Sequence, residues 1–230
     1  MYALGYDLTH CSTDRQTMYR QHPSEKLKAL FEKKPYQGAS PDTARFIFVG
    51  LDANFDPEIE SSENFPEICS YLEDGVEYWR EKGIHHPFLL PSYRGDGSRY
   101  HKQFAKIGLD AQRAQEISFI ELIDTPTMGR SSLKKEDLSH HHLERLETWL
   151  KGGRKKFAFI SPNVRRLMGS TPYFRWLASE PVSSYESISI YHQSPDLTVL
   201  SPYHFSCYGK YCLAENKRKQ LETIRTLIEN

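Results

Sequence analysis

The sequence predicts an α/β fold of three layers, α/β/α, around a central, mostly parallel sheet of four to five strands. Three observations predict it. Short apolar runs rich in β-formers, of which residues 45–50 (Arg-Phe-Ile-Phe-Val-Gly) are the strongest, have the continuous apolar character of parallel strands covered on both faces. Segments with apolar residues at helical spacing separate most of these runs, and such alternation marks a parallel sheet flanked by helices. The chain of 230 residues fits one large domain and is long enough to bury a sizeable core.

Residues 1–43 read as an N-terminal helical preface, and 44–230 as the α/β domain. In the preface Leu27, Leu30 and Phe31 recur at helical spacing over 24–34, with Ser24 placed to cap the helix. The prolines and glycine of 35–41 end that helix and lead into the strand at 45–50. A helix follows over 99–107, a strand over 117–123, a helix over 134–151, and strands over 156–161, 185–191 and 197–200. Leu221, Ile224 and Leu227 give a closing amphipathic helix over 213–228. No internal repeat or low-complexity segment interrupts the pattern.

Composition narrows the function classes. No apolar run approaches the roughly 20 residues needed to span a bilayer. The N-terminal residues lack a basic segment followed by an apolar one, so a cytoplasmic protein with no membrane partner is expected. The 30 basic and 30 acidic residues cancel, which does not announce a nucleic-acid binder. Their distribution is uneven. Residues 1–91 hold 9 basic and 15 acidic residues, a net −6, and residues 92–230 hold 21 and 15, a net +6, so a basic face can sit on the second part. The basic runs at 154–156, 165–166 and 217–219 are candidate phosphate contacts as well as ordinary surface. Cys11, Cys69, Cys207 and Cys212 are scattered, with C-x4-C the closest spacing, and suggest neither a zinc ribbon nor a disulfide framework. Two histidine clusters, His85-His86 and 140–142, invite a metal reading that is discounted: consecutive residues diverge on a helix, so three adjacent histidines cannot converge on one ion, and the triplet is expected to be a solvated helix face. No metal and no cofactor are therefore expected.

The chemistry is concentrated in loops that follow strands, where α/β folds build sites. After the strand at 45–50 comes Gly50-Leu51-Asp52-Ala53-Asn54-Phe55-Asp56-Pro57, a glycine turn followed by an acid. Gly-x-Asp after a strand is commoner as a simple turn than as a catalytic loop. Residues 118–127 (Ser-Phe-Ile-Glu-Leu-Ile-Asp-Thr-Pro-Thr) and a helix start at 131–138 follow, with 98–109 between the two anchors. After the last strand comes Ser201-Pro202-Tyr203-His204-Phe205-Ser206. In order and spacing these segments resemble the uracil-DNA glycosylase superfamily, most of all its mismatch-specific branch. The Gly50 segment is similar to that family's water-activating loop, G-Q-D-P-Y or G-I-N-P-G, with Asp52 on the Asp/Asn position. Residues 118–127 are similar to T-N/K-L-V-x-R-P-T. The last segment departs from the family's H-P-S-P and N-P-S-G: Ser201 stands at the His/Asn position and His204 lies three residues later. The resemblance covers roughly residues 44–228, apart from an insertion around 58–91.

The resemblance implies a monofunctional, monomeric DNA glycosylase that removes a deaminated or damaged base from an extruded nucleotide. Asp52 would position water and favour the positive charge that develops at C1′, and His204 or Ser201 would steady the departing base. Gly50, Leu51, Ala53, Asn54 and Phe55 in the first loop, Glu121 in the middle one, and Pro202 and Tyr203 in the last would contact substrate. Phe88 is a candidate floor for base stacking, although a buried core Phe is the commoner case. Glu121 stands where uracil-reading relatives have Asn. Ionised, it only accepts hydrogen bonds and suits a base that presents N–H donors, such as a deaminated or alkylated purine; protonated, it does not carry that restriction. An iron–sulfur cluster held by the four cysteines stays open, since some glycosylases carry one, but the signature of those glycosylases includes a close cysteine pair near the N-terminus that is missing here. The altered last loop also fits a chain that keeps the fold and binds nucleic acid or another partner without cutting. An unrelated hydrolase or nucleotide-binding enzyme fits less well, for neither G-x-S-x-G nor a phosphate-cradling glycine loop is present.

Overall fold

The computed structural model describes residues 20–95, 97–129, 133–207 and 213–230. Its strands are β1 (Gln37–Gly38), β2 (Phe46–Gly50), β3 (Asn54–Phe55), β4 (Ile117–Glu121), β5 (Thr127–Met128), β6 (Lys156–Ile160), β7 (Ser183–Tyr185), β8 (Ile188–Gln193) and β9 (Leu197–Ser201). Its α-helices are α1 (Glu25–Lys33), α2 (Phe65–Glu73), α3 (Gly75–Lys82), α4 (Ser98–Ala105), α5 (His140–Lys151), α6 (Pro162–Gly169) and α7 (Ala214–Glu229). Seven strands form one sheet in the order β1-β4-β2-β6-β9-β8-β7, while β3 and β5 pair beside it. The central four, β4, β2, β6 and β9, are mutually parallel; β1, β8 and β7 add antiparallel edges.

The β2 sequence explains its central place. Successive side chains of a strand point to opposite faces. Ile47 and Val49 pack on one side with Leu143, Leu146 and Leu150 of α5 and Val164 and Met168 of α6. Phe46 and Phe48 pack on the other with Trp79 of α3, Phe104 of α4 and Ile224 and Ile228 of α7. Phe48 also stacks on Phe159 at 4.6 Å between centroids. Each such side chain, once buried, contributes roughly 1.5–3 kcal/mol relative to exposure. From β2 the chain moves outward to β4, then crosses back past β2 to β6 and on to β9. The winding reverses beside β2, and a crevice opens there at the carboxyl ends of the strands.

The segment expected as an insertion folds into α2, α3 and short 3₁₀ turns at Ile59–Ser61 and Pro87–Leu89. It has its own apolar cluster, in which Ile68, Tyr71, Leu72 and Tyr78 meet Leu27 and Phe31 of α1 and Phe55 and Phe88. Ser24 caps α1 as expected, accepting the Leu27 N–H. Residues 25–38, set apart in the sequence as a preface, thus share a core with the insertion and add β1 to the sheet edge.

Several expectations are corrected. The sheet has seven strands rather than four to five, because short antiparallel edges extend the parallel centre. The strand expected at 185–191 is a hairpin, because Glu186 turns the chain at φ 48° and its carboxylate accepts the Thr223 hydroxyl at 2.6 Å. The helix expected from 134 begins at His140, where Ser139 caps the His142 N–H; a 3₁₀ turn at Lys135–Asp137 precedes it. Of the histidine triplet only His140 and His141 lie toward solvent; His142 is buried, with Nε2 2.8 Å from the Glu121 carbonyl oxygen. Two basic runs each lose a member as a phosphate contact. The buried Lys156 ammonium donates to the carbonyls of Trp149 and Gly152, and the Arg165 guanidinium lies 3.5 Å from the Tyr191 ring centroid. Among the described residues no helix is long and apolar enough to cross a membrane.

Candidate active site

The loop after β2 is held by main-chain pairing to the loop after β4. The carbonyls of Gly50, Leu51 and Ala53 accept the N–H groups of Leu122, Ile123 and Thr127, at 3.2, 3.2 and 2.9 Å. Pairing continues through β3 and β5. The consequence is a fixed acid: Thr127 Oγ1 donates to Asp52 Oδ2 at 2.7 Å, leaving the other carboxylate oxygen for a ligand or water. The Asn54 side chain donates to the Gly129 carbonyl and ties down the far end of the loop.

Asp52 faces a cavity of about 190 Å³ at the carboxyl ends of the strands. Its lining brings together Gly50, Leu51, Asp52, Ala53, Asn54 and Phe55 of the first loop, Glu121 at the end of β4, Phe88, and His204. All of these are residues to which the sequence points. A Cβ on Gly50 would run into the Glu121 carboxyl, so the glycine makes room for the second acid beside the first. Phe88 is buried and stacks on Tyr93 at 4.1 Å between centroids. Gly97, at φ +85° before α4, comes so close that an added Cβ would lie 2.8 Å from the Phe88 ring.

Ser201, Pro202 and Tyr203, expected at the site, do not line the cavity. Ser201 is the last residue of β9, and its hydroxyl is buried without a hydrogen-bond partner. The chain turns there, and His204 takes the place on the cavity wall. Its Nδ1 accepts the Ser206 N–H at 3.2 Å, which leaves Nε2 to carry the proton of the neutral ring. The residue as a whole is exposed, yet burial of the ring against the wall, then the charge of Lys217, lowers its pKa against an opposing pull from Asp52.

The remaining lining residues escape sequence reasoning: Gln37, His86, Gly97, Tyr100, His101, Phe119 and Ser206. His86 and His101 stack face to face at 3.5 Å between centroids, and His85 Nε2 lies 3.1 Å from His101 Nδ1. Burial holds all three imidazoles neutral, lowering His85 to about 3 and the other two well below the usual histidine range. The adjacent pair His85-His86 is the one signal in the sequence; its partner on α4 is brought near only by the fold. Among the described residues no group of three or more His, Cys, Asp or Glu is arranged to hold a metal ion. Cys69 is buried and Cys207 half-buried, both as free thiols, while Cys11 and Cys212 lie outside the described residues.

Glu121 differs from its expectation as an ionised acceptor. Burial, reinforced by the Asp52 charge, raises its carboxyl to about 8, so at neutral pH it is mostly protonated and offers one donor and one acceptor. The same burial, with the charge of Glu121, pushes the hydroxyls of Tyr71 and Tyr100 upward. One pocket therefore holds two acids of unlike character, faced by uncharged imidazoles and phenols.

Comparison of the chain with protein-family models gives no match, and comparison with curated proteins gives none either. The chemistry of the site thus rests on its own residues. Beside the pocket, α4 and α7 flank a cleft of about 770 Å³ lined by Arg99, Lys106, Lys217, Arg218 and Arg225 over Ile107, Leu213 and Leu221. Arg218 pairs with Glu222 and Arg225 with Glu229, whereas Lys217 donates to the carbonyls of Phe205 and Cys207. Tyr100 and His101 of α4 line the pocket while Arg99, Gln103 and Lys106 line the cleft, so one short helix separates the two.

Proposed function

We propose that this chain is a DNA glycosylase that takes the base of an extruded nucleotide into the Asp52 pocket and hydrolyses the bond between sugar and base. The observation that carries the reading is the convergence of Asp52, Glu121, Phe88 and His204 from four separate segments on one small cavity. At about 190 Å³ the cavity lies below the roughly 300–1,000 Å³ of clefts that enclose drug-sized ligands. It suits a single heterocyclic base better than a whole nucleotide.

The chemistry follows from the charges. As the bond from C1′ to the base nitrogen lengthens, positive charge grows on the sugar and negative charge on the base. Asp52, oriented by Thr127, stabilises the first and directs water to C1′. Neutral His204, with its Nε2–H, donates to the second. The protonated Glu121 carboxyl reads an edge that presents a donor next to an acceptor, and Phe88 with the stacked His86 and His101 supplies flat surface. The basic cleft supports nucleic acid as the partner despite a net charge of zero, since phosphate contacts depend on local charge.

The test is release of free base from oligonucleotides, single- and double-stranded, each carrying one uracil, hypoxanthine, xanthine or alkylated base. Release from at least one of them is expected, leaving an abasic site without strand cleavage. Salt-sensitive DNA binding with no release from any would favour the non-cutting reading, to which the position of Ser201 outside the pocket lends support.

A further inference from the structure

Resting on the glycosylase reading, we infer that Glu121 is a catalytic acid that protonates the departing base, which makes purines the substrate class of this pocket. Three features of the site converge on this assignment. The carboxyl sits over Gly50 in the cavity that holds Asp52, where a Cβ on residue 50 would strike it, so it faces the bound base. Among the described residues it makes no side-chain hydrogen bond, whereas Asp52 is held by Thr127; one acid is fixed and the other is unengaged. Two acids in one pocket, one held by a hydrogen bond and the other buried with its carboxyl raised, is the arrangement that divides acid and base roles.

The groups facing Glu121 do not compete for its proton. Tyr71 of α2 and Tyr100 of α4 stay protonated, and His86, His101 and His204 stay neutral at physiological pH. Nε2 of His142 on α5 meets the Glu121 carbonyl oxygen rather than its carboxyl. Burial, and then the Asp52 charge, hold the Glu121 proton in place.

In the reaction the bond from C1′ to N9 breaks and its electron pair goes to the base, while the Glu121 O–H transfers its proton to a basic ring nitrogen. Water adds through oxygen to C1′ and gives its proton to Asp52. The products are neutral purine and the abasic sugar; Glu121 is left ionised and Asp52 protonated, and exchange with solvent resets both. A purine nucleoside has lone pairs at N3 and N7 to take the proton. Neutral uracil offers only weakly basic carbonyl oxygens, so it gains little from an acid there.

The experiment is single-turnover base release by the full chain and by Glu121→Gln between pH 6 and 10, from oligonucleotides carrying hypoxanthine, uracil or 7-methylguanine. 7-Methylguanine already carries the positive charge that a proton would bring. The expected result is wild-type hypoxanthine release that falls above about pH 8, and a loss in Glu121→Gln of about 10²–10⁴-fold, the usual contribution of a positioned acid. The loss on 7-methylguanine is much smaller, and the alkaline fall disappears with the carboxyl. Equal losses on both purines, or an alkaline fall that persists in Glu121→Gln, would overturn the inference and leave Glu121 a residue that merely shapes the pocket. Release of uracil alone overturns the inference and leaves the glycosylase reading standing, whereas release of no base overturns both.

Discussion

Replacing Glu121 by Gln should change how stability depends on pH. In the folded protein the carboxyl is raised from 4.5 to about 8 by burial and by Asp52, so between those values the native state holds a proton that the unfolded chain has released. Stability therefore falls as pH rises across that window and levels off above it. At about 1.36 kcal/mol per pH unit the full cost would approach 5 kcal/mol. Glu121 lines an open pocket and its surface is only half-buried, so screening by water reduces this to about 2 kcal/mol. Glutamine fits the same space with no charge to bury. Urea unfolding at pH 5 and pH 9 reads the effect: the variant should match wild type at pH 5 and exceed it by about 2 kcal/mol at pH 9. The buried His85, His86 and His101 tilt stability the other way, adding to it as pH rises toward 6.5, but they are common to both proteins and cancel in the difference. A difference that stays constant with pH would show that Glu121 ionises normally in the fold and would refute the electrostatic picture of the pocket.

Thr127→Val removes the hydroxyl that orients Asp52; a hydrogen bond to a charged group contributes about 1.5–3 kcal/mol, so single-turnover base release should slow roughly ten- to a hundredfold with the circular dichroism spectrum unchanged. Gly97→Ala places a Cβ against Phe88 at a backbone angle of φ +85°, and thermal or urea unfolding should show a loss of about 1–3 kcal/mol. Lys106→Ala with Arg225→Ala should weaken binding of a single-stranded oligonucleotide and lower the slope of log affinity against log salt by about 2, read by fluorescence anisotropy.

The strand β2 and its site were legible because two kinds of information coincide there. Ile47 and Val49 alternate with Phe46 and Phe48 in a run with no polar residue, which only a doubly covered strand tolerates, and the loop after such a strand is where Asp52 lies. The edges β1 and β7 were not legible, since two or three residues pair through main-chain bonds and carry no side-chain periodicity. The last loop misled for a different reason. Position along the chain put Ser201 at the site, but β9 is buried throughout and ends on Ser201, so the hydroxyl points into the protein and the chain must travel three residues further to present a side chain. His101 was hidden because its contacts, His85 and His86, come from a distant loop, and nothing in a helix sequence marks which polar residue will be buried against them. The net charge of zero hides the basic cleft, because acidic residues of 1–91 cancel the basic ones in the sum, whereas the net +6 of residues 92–230 points to the part of the chain in which α4 and α7 gather them.

Whether Asp52 directs water to an extruded nucleotide is decided by single-turnover release from the most readily cleaved oligonucleotide, comparing wild type with Asp52→Asn at equal DNA occupancy. Asparagine keeps the shape and the contact with Thr127 but carries no charge. The expected rate is lower by about 10²–10³-fold with DNA affinity little changed. Equal rates for the two proteins would contradict the role assigned to Asp52.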